Sequence, residues 1–302
     1  MQRNIAIGFS CVVSLVTVIC TAATALGVAD RRFDICTIYN SVSGSDPHFT
    51  TTNLSHLNFS TANGHFISMP TDTNRPTINA NGNFMAGYYN SLNSLYGTYN
   101  GSQAADQIQN YLVANFTSNG VVTQWVILNE ISGGLWPNDA SYRAWLRTCI
   151  ARLKTTYNHS IILCAPFTHP ANNAADWQPL SQNCYIGIEG YLTGAAVNGS
   201  GNSSSWCATQ YSSFKTSYLN LGIAPAQLYL VEHYANTVSG TAWGRSGVSS
   251  AGWDNAIRAR ITGMKSVGFA GYVGFAWEHN GMGISETEQD QHEDAYAAQS
   301  LP

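Results

Sequence analysis

Four glutamates close four apolar runs in a chain that is otherwise poor in charge. Glu130 ends "TQWVILNE", Glu189 lies in "CYIGIEGYL", Glu232 in "QLYLVEHY" and Glu278 in "AGYVGFAWEHN". A carboxylate at the end of an apolar run is costly to bury unless it is paired or chemistry needs it. One such residue alone is explained by an arginine partner as readily as by a ligand. Four brought to one rim point to chemistry that uses two carboxylates facing each other. One would protonate a leaving oxygen while the other attacks the adjacent carbon or activates water. With aromatic side chains nearby, that equipment suits the breaking of a glycosidic bond.

Such a rim needs a frame. Strands are expected at 33–40, 55–62, 123–130, 160–167, 184–192, 227–234 and 270–280, and "NFMAGYYN" (83–90) is the best candidate within the Asn- and Gly-rich stretch 63–101. Helical spacing covers 102–116, 139–157, 205–222 and 252–268, with a closing helix over 286–299. Asp139 is the expected N-cap of its helix, and Trp145, Leu146, Cys149, Ile150 and Leu153 recur on one face. Gly222 is a suitable helix stop.

Strands alternating with helices imply right-handed βαβ units and a parallel sheet. Seven or eight units over residues 30–302 match an α/β fold of one (β/α)8 TIM barrel, typically ~250 residues. An open doubly wound sheet is the competing arrangement. No G-x-G-x-x-G or Walker loop follows any strand, so nucleotide and dinucleotide binding are not expected. In a barrel the chemistry lies at the C-terminal strand ends. Tyr39, Asn40, Asn58, Asn129, His169, Tyr191, His233 and Trp277 would join the glutamates there.

Composition narrows the class. The chain has 302 residues, 44% hydrophobic and 10% charged, with a net charge of −4. No basic stripe is present, so nucleic acid is not an expected partner. Residues 1–29 carry Arg3, an apolar run and Gly27-Val28-Ala29, the pattern of a secretory signal peptide cut near Ala29. Uncleaved, the same run would be a membrane anchor. Export is the expectation, with residues 30–302 as the barrel. Sequons fall at Asn53, Asn58, Asn100, Asn115, Asn158, Asn198 and Asn202. Cleavage leaves Cys36, Cys149, Cys164, Cys184 and Cys207, without zinc-type spacing. Cys184 and Cys207 are the pair to test for a disulfide. His169, His233 and His279 follow strands but show no ligand motif, so neither metal nor cofactor is expected.

"ILNE", "LVEHY" and "GFAW" on the fourth, seventh and eighth strands resemble the pattern of clan A glycoside hydrolases. The resemblance spans roughly residues 120 to 280. It implies a retaining enzyme on a (β/α)8 barrel, acting on a poly- or oligosaccharide. Glu130 would be the acid/base, Asn129 the partner of the sugar 2-hydroxyl, and Glu232 the nucleophile. Tyr191 resembles the tyrosine that orients the nucleophile, and Trp277 the floor of the −1 subsite. The Trp277–Glu278 peptide would be cis. No second-strand Arg or third-strand His of the clan is present.

Glu189 and Glu278 have no counterpart in that pattern and could displace either assigned carboxylate. Trp136 and His233 are further candidates for sugar contact, although Trp136 could equally pack its own loop. Two other classes fit the same residues: an exported carbohydrate-binding barrel without catalysis, and an envelope protein using the barrel as a scaffold.

Overall fold

The computed structural model describes residues 36–39, 65–68, 84–118, 120–166, 173–233 and 250–276. Eight strands close a barrel: β1 (Cys36–Tyr39), β2 (His65–Ser68), β3 (Phe84–Tyr89), β4 (Trp125–Leu128), β5 (Ser160–Pro166), β6 (Tyr185–Glu189), β7 (Leu228–His233) and β8 (Gly271–Ala276). Each strand runs parallel to both of its neighbours, and β8 pairs with β1 to complete the ring. This is the (β/α)8 barrel expected from the alternation of elements. Its second strand is His65–Ser68; the expected strand 55–62 lies outside the described residues, as do residues 1–29 and 286–299.

The strands are apolar on both sides because a barrel buries both. On β4, Trp125 and Ile127 join Tyr88, Ile162, Cys164 and Val231 in the barrel interior. Val126 and Leu128 point the other way, into a cluster with Leu112, Leu146 and Ile150 of the surrounding helices. The period-2 alternation of side chains therefore decides which residues reach the barrel axis.

The helices that cover the barrel are α1 (Gly101–Asn115), α2 (Leu135–Asn138), α3 (Ala140–Thr155), α4 (Ala174–Ser181), α5 (Gly194–Gly199), α6 (Ser204–Leu219) and α7 (Ser250–Val267). Asp139 caps α3, its Oδ1 accepting from the backbone nitrogens of Ser141 at 2.8 Å and Tyr142 at 3.1 Å. Asn100 and Gln103 form a reciprocal capping box on α1. Such caps contribute about 1 kcal/mol each. The five apolar residues expected on one face of α3 are all buried.

The expected Cys184–Cys207 disulfide is absent; both are buried free thiols. Cys184 immediately precedes β6, whereas Cys207 is in the first turn of α6, which runs back down the barrel. A strand and its return helix hold those positions at opposite ends of the unit. Burial pushes the Cys184 thiol up and that of Cys149 up to about 12, so neither is a reactive thiolate.

Candidate active site

At the exit of β4 the chain stops following strand geometry. The backbone nitrogen of Asn129 still donates to the Tyr89 carbonyl at 2.9 Å. Glu130 then takes φ 36°, a left-handed conformation that costs an ordinary residue energy and recurs at functional sites. Its carbonyl accepts from Asn93 Nδ2 at 3.0 Å. The Tyr142 hydroxyl donates to Asn93 Oδ1 at 2.5 Å and accepts from the Ser132 nitrogen at 3.1 Å. Ile131 resumes regular contact, donating to the Cys164 carbonyl at 2.9 Å. Three elements thus hold the strained turn and leave Glu130 exposed at the rim.

Glu189 ends β6. Gly187 faces the axis two residues earlier, where an added Cβ would sit 2.8 Å from Val231 Cγ2 and 3.0 Å from Ile162 Cγ2. Alternation carries Glu189 to the same inner side, and the residue is only 7% exposed. Burial, and then the charge of Glu130, push its carboxyl up to about 8. A hydrogen bond from Tyr191 acts in the opposite direction without cancelling the rise, which favours the protonated carboxyl. Burial and then the charges of Cys164, Glu189 and Glu130 hold the Tyr88 hydroxyl protonated. Glu130, Glu189, Tyr88 and Tyr191 therefore share one electrostatic neighbourhood above Cys164: a buried acid beside an exposed carboxylate.

Glu232 does not join them, which corrects the expectation that it faces Glu130 across the pocket. On β7, Tyr229 and Val231 face the interior, while Leu228 belongs to the outer cluster. The same parity sends Glu232 outward, between the strand and the helices, where it is fully buried. Its Oε1 accepts from the Leu192 nitrogen at 2.7 Å and from the Tyr211 hydroxyl at 3.1 Å. Tyr191, expected to orient Glu232, bonds Glu189 instead.

Trp136 is also corrected. It is fully buried and packs on Trp177 with ring centroids 4.5 Å apart, so no face is open to a sugar. Its carbonyl is held by Arg143 at 2.7 Å and Asn173 at 3.0 Å. His233 is the last residue of β7, its backbone in register with Phe275. Trp277, Glu278 and the peptide between them lie outside the described residues, as do Asn40, Asn58, His169 and His279. Among the described residues no group of His, Cys, Asp and Glu is arranged to hold a metal ion.

Tyr88, Asn93, Tyr142 and Arg260 were not singled out from the sequence. Period-2 spacing in "NFMAGYYN" puts Tyr88 on the same face as Ala86, and that signal was available. Arg260 was also legible, since it falls on the apolar face of its helix with Ile257, Ile261 and Met264. Asn93 and Tyr142 meet across 49 residues, which no local pattern announces.

No protein-family model matches the chain, and no curated protein matches it. Solved structures do share its fold. The spore cortex-lytic enzyme SleL of Bacillus cereus superposes with a TM-score of 0.51 at 10% identity, over 87% of this chain and 74% of that one. A Bacteroides thetaiotaomicron protein assigned as an α-L-fucosidase gives a TM-score of 0.52 at 11% identity, over 89% and 95%. At such identities the likeness establishes fold. The chain is a (β/α)8-barrel protein with an exposed glutamate just beyond β4 and a buried one at the C-terminal end of β6.

Proposed function

We propose that the protein is an exported glycoside hydrolase that cleaves β-linked poly- or oligosaccharides by double displacement, with Glu189 as acid/base and Glu130 as nucleophile. The observation that carries this reading is a glutamate buried on the axis side of β6, its carboxyl pushed up by burial and then by the charge of the exposed Glu130. Pairs of titratable groups pushed apart by their surroundings are how acid and base roles are divided. The β-linkage follows from the resemblance to clan A enzymes, and export from the apolar segment after Arg3.

In the first step the proton of Glu189 passes to the glycosidic oxygen as its bond to the anomeric carbon breaks. A Glu130 oxygen forms the new bond to that carbon. In the second step water attacks the same carbon, gives its proton to Glu189 and releases Glu130. Asn129, beside Glu130, is the candidate for the sugar 2-hydroxyl, and Tyr191 aligns Glu189. His233, Trp277 and Glu278 remain candidates for sugar contact from β7 and β8.

A panel of soluble β-glucans, mannans, galactans and xylans should yield new reducing ends with at least one member. Proton NMR should show the β-anomer as first product. An α-anomer formed first would replace double displacement by single inversion. Binding without new reducing ends would favour a non-catalytic carbohydrate-binding barrel, a reading favoured by the seventh-strand carboxylate facing away from the mouth.

A further inference from the structure

Leu192 is held at both of its backbone polar groups by side chains on the helix-facing side of the sheet. Its nitrogen donates to Glu232 Oε1 at 2.7 Å, and its carbonyl accepts from Nη2 of Arg260. The Tyr211 hydroxyl donates to the same Glu232 oxygen at 3.1 Å. Leu192, Glu232, Tyr211 and Arg260 are all buried, and they come from β7, α6, α7 and the segment leaving β6. That segment starts at Glu189. Two residues on, Tyr191 turns back to bond Glu189, and one residue later the clamp begins.

Buried ionisable side chains on the far side of a strand need a reason to be there, because leaving water is costly for each charge. Opposite charge is one reason, since Glu232 and Arg260 both lie beside Cys207, and the Leu192 backbone, bonded by both, is the other. Gly190 supplies the close turn just before it, donating to the Val231 carbonyl at 3.1 Å; an added Cβ would meet Phe214 at 2.7 Å and Leu230 at 2.9 Å. Little slack remains between Glu189 and Leu192.

We propose that Glu232, with Tyr211 and Arg260, is a positioning group that sets the Tyr191–Glu189 contact through the Leu192 backbone, and is not a reacting carboxylate. The proposal rests on the reading of Glu130 and Glu189 as the reacting pair. It separates two roles that a glutamate on the seventh strand can take. A positioning carboxylate works through an acceptor oxygen, which glutamine also has. A nucleophile needs the charge, which glutamine lacks.

The test compares Glu232→Gln, Glu232→Leu, Glu232→Ala and Tyr211→Phe in the full chain. Amide exchange at Leu192 is read alongside kcat, KM and the pH–rate profile. In Glu232→Gln the Leu192 amide stays protected and kcat stays within about tenfold of wild type. In Glu232→Leu the amide loses protection, and kcat falls by about 10²-fold, the effect of a misplacement near 1 Å. The alkaline limb of the pH profile moves with it, while KM changes little. Tyr211→Phe lies between the two, and azide restores nothing to Glu232→Ala. An inactive Glu232→Gln with a protected Leu192 amide, or azide rescue of Glu232→Ala, would make Glu232 the nucleophile and overturn the proposal. A Leu192 amide still protected in Glu232→Leu would overturn it too. If the wild type cleaves no glycoside, the reading of the reacting pair fails by itself, and amide exchange still decides the clamp.

Discussion

Oε1 of Glu232 accepts a hydrogen bond from the backbone nitrogen of Leu192 at 2.7 Å, joining residues forty apart in the chain. The bond runs behind the sheet, on the helix side of β7. Glu189 and Glu130 occupy the mouth, so the two carboxyl groups that act on each other come from β6 and β4 rather than from β7 and β4. Four consequences can be measured.

Replacing Glu189 removes the proton donor. Glu189→Gln should slow an unactivated β-glycan by about 10²–10⁴-fold; on an activated aryl glycoside, whose leaving group needs little protonation, it should largely spare kcat/KM and lower kcat, because the second step still lacks its base. The wild-type alkaline limb should fall near pH 8, where burial and Glu130 place the Glu189 carboxyl. That limb should vanish in the aryl-glycoside profile of the variant. Glu130→Gln should instead abolish turnover of both substrates. Equal sensitivity of both substrates to Glu189→Gln would remove it from the acid role.

Stability should carry the same signature. The Glu189 carboxyl is raised from the ordinary glutamate range to about 8, so the folded chain keeps a proton that the unfolded chain has lost. Its contribution is full below about pH 4.3, is lost as pH rises toward 8, and is flat above that. Urea unfolding from pH 5 to 9 should therefore show a decline across this window that is absent in Glu189→Gln. Matching slopes in the two proteins would show that the side chain ionises without penalty.

The Asn93–Tyr142 bridge holds the strained Glu130 peptide. Asn93→Ala removes the partner of an exposed carbonyl and a part-buried hydroxyl and should cost about 0.5–1.5 kcal/mol in unfolding free energy. It should also lower kcat more than it raises KM, because Glu130 loses its aim. Tyr142→Phe should do less of both, since the direct bond to the Glu130 carbonyl survives. Wild-type kcat in Asn93→Ala would show that the turn is held by other means.

Trp136 is a packing residue. Trp136→Ala should destabilise the fold by about 3–5 kcal/mol, as expected for a buried tryptophan packed on Trp177. KM for a glycan, measured where the variant is folded, should stay within a few-fold of wild type. A large rise in KM with unchanged stability would return Trp136 to the binding surface.

The barrel was legible from the chain because its signals are local. Apolar runs of strand length, helical spacing, Asp139 as a cap and Gly222 as a stop each depend on neighbours within a few residues. The fourth, seventh and eighth strands were placed correctly from such runs. The expected strand 55–62 lies outside the described residues, and the four-residue strand starting at His65 carries too little pattern to stand out from an Asn- and Gly-rich stretch.

The ranking of the glutamates was beyond local pattern. A one-residue change in the phase of a strand sends a side chain to the opposite face. Sequence put Glu130, Glu189 and Glu232 at strand ends, yet phase alone assigns Glu189 to the axis and Glu232 to the helices. At Glu130 the phase is broken by a left-handed turn, held by Asn93 and Tyr142 from elsewhere in the chain. Sequence by itself determined the barrel and the set of acidic strand ends, because short-range periodicity and capping encode both. Only the closed tertiary structure decided which carboxyls meet, because burial and charge act between strands that the chain order keeps far apart.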